Sequence, residues 1–279
     1  MCIRDSYIWC DNKKYSALNI DVEDNIRLLN AQTVDNSVLR NSMLPSLMVF
    51  ASENKGYSPT YGMFEIGRVF KGKRPDGTAN ERKTLGVLLL SHEKSERELF
   101  FTLRNMIATI AFNIKHSEFE FENIAPEHNW QHPKNTASVS LGGTKMGTLC
   151  TLHPTTLSAI DKKAAVVCAE IDLDLFCSEA KQAVTYCEPS KYPAIEADLT
   201  FVVPDGVCFS QLSKAWTGNN PEFLENVSLV DVYEDGDVTN VSIRLRFVSN
   251  ERTLARTEIQ PCIDSIIDTL AKTGINLKQ

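Results

Sequence analysis

The chain has 279 residues, 43% of them hydrophobic and 23% charged, and a net charge of −7 at pH 7. That length predicts one large or two medium domains with enough apolar content for a core. The acidic balance excludes generic nucleic-acid binding, so any RNA contact must come from a local basic cluster. The eight cysteines (2, 10, 150, 168, 177, 187, 208 and 262) form no CxxC pair and no zinc-type spacing, so no metal site is expected.

The start, "MCIRDSYIWC", has no apolar signal core. "MCIRDS" resembles the spurious leader of a truncated reading frame. Residues 1–6 are therefore expected to be non-native, and the chain to be the C-terminal piece of a longer protein. No stretch reaches the roughly 18 apolar residues of a membrane helix. Reduced, buried cysteines suggest a cytoplasmic protein.

Residues 22–32, "VEDNIRLLNAQ", mix apolar and polar positions as a half-exposed strand does. In "NSMLPSLMVFASENKG" Ser42 is placed to cap a helix, with Pro45 in its first turn and Gly56 as its stop. "YGMFEIGRVF" (61–70) and "KTLGVLLLS" (83–91) predict strands joined by a polar, glycine-containing loop. Within the first, Glu65 and Arg68 are two charges in an apolar run. The best helix is 95–115: Ser95 and Glu98 make a capping box, and Leu99, Leu103, Met106, Ile107, Ile110 and Ile114 share a face.

Strands at 136–141, 145–152 and 164–173 follow, the first two turned by Gly142 and Gly143, with a helix starting at Pro154. In "EIDLD", Glu170, Asp172 and Asp174 would share one solvated face if the strand continues. Apolar periodicity is lost over 177–193, which places a boundary near residues 188–190. The chain divides into a core, 7–183, and a second domain, 190–279. The latter reads strand, helix, strand, strand, helix, short tail, a βαββαβ or ferredoxin-like plan with one sheet face covered and one open. The fold class is thus α+β.

The motifs "VLRNSMLPSLM", "YGMFEIGRVF", "NWQHP" with "GTLCTLHP", and "KYPAIEADLTFVVPDG" through "VSIRLRFVSNERTLARTEI" stand in order along the chain. Together they resemble the C-terminal part of the phenylalanyl-tRNA synthetase β-subunit family. The resemblance implies a class II synthetase-like antiparallel core without catalysis, followed by a ferredoxin-fold anticodon-binding domain. It also implies an α2β2 assembly that attaches phenylalanine to tRNA(Phe). ATP and magnesium would be used by the α subunit, and no cofactor by this fragment.

A class II site needs a strand arginine for the ATP α-phosphate, a carboxylate beyond the following loop, and a second arginine on a glycine-rich helix start. Arg68 fits the first position as a relic of an ATP-gripping strand. Glu81 lies too near the polar turn to serve as the second, and no Gly-x-Gly-x-x-Arg stretch follows in 84–180. A structural Arg68, paired with Glu65 or an interface carboxylate, is the expectation. The alternative is a free-standing enzyme using the Arg68 strand or a Cys150/His153 set with His132. For that set the expected reading is a capping or core histidine at 153.

Residues 190–279 hold eight Lys/Arg against thirteen Asp/Glu. Arg244 and Arg246 nevertheless alternate with Ile243, Leu245 and Phe247, which turns both arginines to the open face. With Arg252, Arg256 and Lys191 they are the candidate tRNA-binding residues, because arginine forks onto phosphates and stacks on unpaired bases. A solvated face with cross-strand pairs to Asp198 or Asp231 competes with that reading. Ala255 stands where the family usually caps the last helix with threonine, so Thr257 is the expected cap, with Pro261 tolerated near the first turn. Helix 42–56 and strand 61–70 are the expected α-subunit docking elements.

Overall fold

The computed structural model describes residues 2–3, 7–22, 25–31, 33, 37–184, 186, 188–204, 207, 209–217, 222–235 and 238–278. Two compact units divide it, Met1–Val184 and Thr185–Gln279. The first contains β1 (Cys2–Ile3), β2 (Trp9–Cys10), α1 (Asn12–Ala17), β3 (Val38–Leu39), α2 (Leu44–Glu53), β4 (Thr60–Lys73), β5 (Ala79–Ser91) and α3 (Glu96–Lys115). It continues with β6 (Glu120–Asn123), β7 (Gln131–Leu141), β8 (Thr144–Leu152), α4 (Pro154–Ile160), β9 (Ala165–Asp172) and α5 (Leu173–Ser178).

Its main sheet has the order β1-β4-β5-β9-β8-β7-β6, antiparallel except for β1 beside β4. The central strands are buried on both faces, which is why they read as continuous apolar runs. In β5, Leu88 and Leu90 pack with Leu44, Leu47 and Met48 of α2, while Leu85, Val87 and Leu89 pack with Leu99, Leu103 and Ile107 of α3. Cys168 and Val166 of β9 join the first layer, and Val167, Ala169 and Ile171 the second. Gly142 and Gly143 turn the β7–β8 hairpin with φ of 58° and 80°, a left-handed pair that suits glycine.

Several elements differ from the sequence reading. Residues 22–32 are not a strand where described: Arg27 makes one isolated bridge with Val38, and residues 23, 24 and 32 lie outside the described set. Ser42 does not cap α2. Met43 holds the N-cap position, and Ser42 Oγ donates to Glu170 Oε2 (2.8 Å) while accepting from the Leu44 N–H (3.2 Å). The helix ends at Glu53, before Gly56. The capping box of α3 is present: Ser95 Oγ accepts from the Glu98 N–H (3.2 Å), and Glu98 Oε2 accepts from the Ser95 N–H (2.8 Å). Its apolar face is divided, however. Leu99, Leu103 and Ile107 are buried, whereas Met106, Ile110 and Ile114 remain exposed.

The second unit contains β10 (Ile195–Val203), α6 (Phe209–Thr217), β11 (Leu224–Asp235), β12 (Val238–Phe247), α7 (Arg256–Ala271) and β13 (Asn276–Leu277), in the sheet order β11-β12-β10-β13. This is the βαββαβ plan read from the sequence. Phe201, Ile243, Leu245 and Phe247 are fully buried against Leu212 and Trp216 of α6 and Ile259, Ile263 and Ile266 of α7. Thr257 does not cap α7. The helix begins at Arg256, and Glu258 accepts from the Ala255 N–H at 2.7 Å, so a carboxylate in the first turn replaces the missing hydroxyl. Pro261 lies inside the helix, in its second turn.

Candidate nucleic-acid interface

Burying Ile243, Leu245 and Phe247 forces the alternate residues of β12 onto the uncovered face. The register then sets Arg244 opposite Asp198 and Arg246 opposite Glu196. Arg244 grips Asp198 with two bonds, Nε to Oδ1 at 2.7 Å and Nη2 to Oδ2 at 2.8 Å. Its Nη1 also lies 3.6 Å from Glu196 Oε2. Arg246 donates from Nε to Glu225 Oε2 (2.7 Å) and from Nη1 to Glu196 Oε1 (3.5 Å). Glu196 thus bridges both arginines. The hydrogen bond from Arg244 holds the Asp198 carboxyl below the usual carboxylate range, and the same pair raises the arginine's own affinity for its proton.

Arg244 and Arg246 are therefore on the open face, but they do not form a bare basic patch. Asp198 is a partner, as the competing reading expected, while Asp231 is replaced by Glu196 and Glu225. Arg252 pairs with Glu258 at 2.6 Å, and that bond is the largest cause that lowers the Glu258 carboxyl to about 2. Lys191 lies 3.6 Å from Glu188, both well exposed. Arg256 stands exposed in the first turn of α7.

Farther along the face, Thr200 and Ser242 share a hydrogen bond (2.9 Å). Lys278 Nζ donates to Tyr233 Oη (3.0 Å) and sits 4.9 Å from the ring centre. The face offers forked donors, hydroxyls and one aromatic ring. A phosphate reaching Arg244 or Arg246 would have to displace a carboxylate.

In the core unit the charged strand resolves differently from expectation. Arg68 is exposed and pairs with Glu81 diagonally across the β4–β5 hairpin (2.7 Å), not with Glu65. Glu65 pairs with Arg40 at 2.9 Å, each side chain only 2% exposed, and Arg40 Nε also donates to the Arg68 carbonyl (2.9 Å). Arg40 stands in "VLRNSML", whose apolar neighbours were the available signal for a buried arginine.

Glu170 is likewise not on a solvated face. It is buried and accepts from Ser42 Oγ and the Met43 N–H (2.6 Å), with Lys71 Nζ at 3.3 Å. The strand stops at Asp172, which caps α5 through the Leu175 N–H, and Asp174 accepts from the Lys83 N–H, so the three carboxylates separate. The Cys150/His153/His132 set does not assemble. Cys150 is buried 3.5 Å from Cys168, its cross-strand neighbour. His153 caps α4 and bonds Thr155, and His132 Nδ1 accepts from the Lys134 and Asn135 N–H groups.

A βαββαβ unit with one open face, preceded in the chain by a mostly antiparallel sheet in which Arg68 is paired with Glu81, has the order of a synthetase-type core followed by an anticodon-binding type of domain. Family models agree in order along the chain. Residues 6–173 match the phenylalanyl tRNA synthetase beta chain CLM domain, and 190–278 the ferredoxin-fold anticodon binding domain. The chain belongs to the phenylalanyl-tRNA synthetase β-chain family.

Relatives include the phenylalanine–tRNA ligase beta subunits of Syntrophotalea carbinolica (26% identical, 91% of this chain and 33% of that protein) and Chlamydia caviae (30% identical, 91% and 33%). That of Carboxydothermus hydrogenoformans is 25% identical over 98% of this chain and 36% of its own length. The chain thus spans about a third of the length of the curated relatives it matches. Among the described residues, no helix is long and apolar enough to cross a membrane.

Proposed function

We propose that this chain serves as a non-catalytic part of the phenylalanine–tRNA ligase β subunit, in the cytoplasm. It braces the catalytic α subunit of an α2β2 assembly and holds tRNA(Phe) on the open sheet face of its second unit while phenylalanine is attached at the expense of ATP. The observation that carries the reading is the ordered pair of family matches spanning both units. The residues of the core do not fit an ATP–magnesium site. Arg68 is tied to Glu81, and Glu170 is committed to Ser42 and Met43.

Of the two docking elements expected for the α subunit, the strand is the better candidate, since Leu44, Leu47, Met48 and Val49 of α2 are buried within the chain. Phe64 and Ile66 of β4 face Met106, Ile110 and Ile114 of α3 across a groove of about 680 Å³, and this is the surface we assign to that contact.

The isolated chain should show no phenylalanine-dependent ATP–pyrophosphate exchange, and robust exchange without an α subunit would overturn the scaffold reading. In the assembled enzyme, Arg244→Ala with Arg246→Ala should weaken tRNA binding and lower its log–log salt slope by roughly 0.7–0.9 for each phosphate no longer neutralised. Amino-acid activation should be unchanged. The weakening should exceed the worth of the two arginines themselves, since Glu196, Asp198 and Glu225 would be left as bare carboxylates facing the RNA. Parent-like affinity and slope in a folded variant would move the RNA surface elsewhere.

A further inference from the structure

The core unit carries a second cationic surface, built quite differently from the sheet face of the other unit. Arg97, Phe100, Phe101 and Arg104 recur at helical spacing along one side of α3. They form one wall of a groove of about 670 Å³ whose other wall is the end of the sheet, with Phe121 of β6 and Lys134 of β7. The Arg104 guanidinium sits 4.7 Å from the centre of the Phe121 ring, and Phe100 and Phe101 meet edge-on at 6.1 Å. Phe101 is 48% exposed, a large ring held open to solvent. Asn123 and Asn135 add amide groups. Glu96 is the carboxylate in the lining, and it accepts from Asn135 Nδ2 (3.0 Å).

The charge balance here is the reverse of that on the anticodon-type sheet. There Arg244 and Arg246 are each matched by carboxylates, as is Arg252 just beyond β12. Here Arg97, Arg104 and Lys134 make no salt bridge among the described residues. Three cations are thus left beside three aromatic rings in a chain whose net charge is −7. Phe101 is the exposed ring, while Phe100 and Phe121 are half-buried against the core, so the cations surround one open aromatic face backed by two anchored ones. Aromatic faces stack on unpaired bases without regard to sequence, arginine can stack beside them, and the flanking cations neutralise the phosphates between successive bases.

We propose that this groove binds a single-stranded segment of RNA. A base stacks on Phe101 and on the Arg104–Phe121 pair, and the phosphates lie against Arg97 and Lys134. This groove belongs to a different unit from the anticodon-type sheet, and RNA binding in one does not require RNA binding in the other.

The test uses the 279-residue chain and a short fluorescein-labelled oligouridylate carrying 4-thiouridine, with binding followed by anisotropy across a salt series. Arg97→Ala/Arg104→Ala/Lys134→Ala should weaken binding at least about tenfold and lower the log–log slope by roughly 1.4, at about 0.7 for each of the two phosphates held by Arg97 and Lys134. Phe101→Ala should weaken binding about tenfold, as loss of one stacked base does, with the slope unchanged. Lys134→Glu carries the same test at one exposed position should the triple variant not fold. Photo-crosslinks should map to peptides containing Phe101 or Phe121.

Crosslinks confined to residues 190–279 would overturn this proposal and leave the anticodon reading intact. Absence of oligouridylate binding would overturn it as well. So would displacement of the RNA by polyglutamate at equal or lower concentration, which would mark the groove as an acidic-peptide site. Retained tRNA binding by the triple variant together with lost oligouridylate binding would support it, since the two surfaces then act independently.

Discussion

Two arginine–carboxylate pairs of nearly equal length show how much setting matters. Arg40–Glu65 (2.9 Å) lies in the core unit with both side chains 2% exposed, whereas Arg244–Asp198 (2.7 Å) lies on an open sheet face, 43% and 52% exposed. In the core both side chains are shielded from solvent, so removing one charge of the pair is costly. On the sheet, water and salt compete with the pair, and its worth to folding is small. The buried pair is therefore architectural. It ties residue 40 to β4, a link repeated by the backbone bond from the Phe70 N–H to the Arg40 carbonyl (2.9 Å). The exposed pairs can open when a competing anion arrives, which suits a binding face.

Breaking the buried pair should have the largest effect. Glu65→Ala removes the buried carboxylate that pairs with Arg40 and should cost about 3–5 kcal/mol in chemical denaturation of the core unit. Arg40→Met with Glu65→Leu should recover most of that loss. A single variant as stable as the parent would show that the pair is not dry.

A second effect of burial is the fall of His128 below its ordinary 6.5, caused first by desolvation and then by the neighbouring Lys71. The unfolded chain then takes up a proton that the folded one refuses. Stability from this group is complete above 6.5 and declines as the pH falls below it. The thermal midpoint of the core should drop on acidification through that range, and His128→Gln should flatten the drop.

On the exposed side, Glu258 is lowered from 4.5 to about 2, chiefly by Arg252. Its contribution is complete above 4.5 and is lost as the pH falls towards 2. The acid midpoint of the second unit should shift upward in Arg252→Ala, read by circular dichroism. The smallest effect is expected for Arg244→Lys. The midpoint should stay at the parent value while tRNA affinity falls, because lysine keeps the charge and loses the fork. A clear loss of stability would place this pair with the buried one.

The readings that held rested on neighbours in sequence. The Ser95/Glu98 box lies within one helical turn, Gly142–Gly143 supply a turn that suits residues of positive φ, and Ile243, Leu245 and Phe247 alternate within one strand. The misses were contacts between distant segments. Arg68 was expected to pair with Glu65 or an interface carboxylate, yet residues 65 and 68 project to opposite faces, so Glu81 of the next strand takes Arg68 while Arg40 reaches 65 from another segment. Glu170 looked solvated by alternation, but Ser42, 128 positions away, closes over it. The expected docking helix is simply the inner layer of the core.

The sequence by itself determined the α+β class, the βαββαβ order, the open-faced placement of Arg244 and Arg246, and the family. Each follows from local periodicity, turn chemistry or the order of motifs. Only the tertiary structure decided which charges are spent on one another. It matched the sheet arginines with Glu196, Asp198 and Glu225, buried Arg40 with Glu65, and left Arg97, Arg104 and Lys134 unmatched beside three phenylalanines. Ion pairing depends on distance in space and on exclusion of water, and neither is set by proximity along the chain.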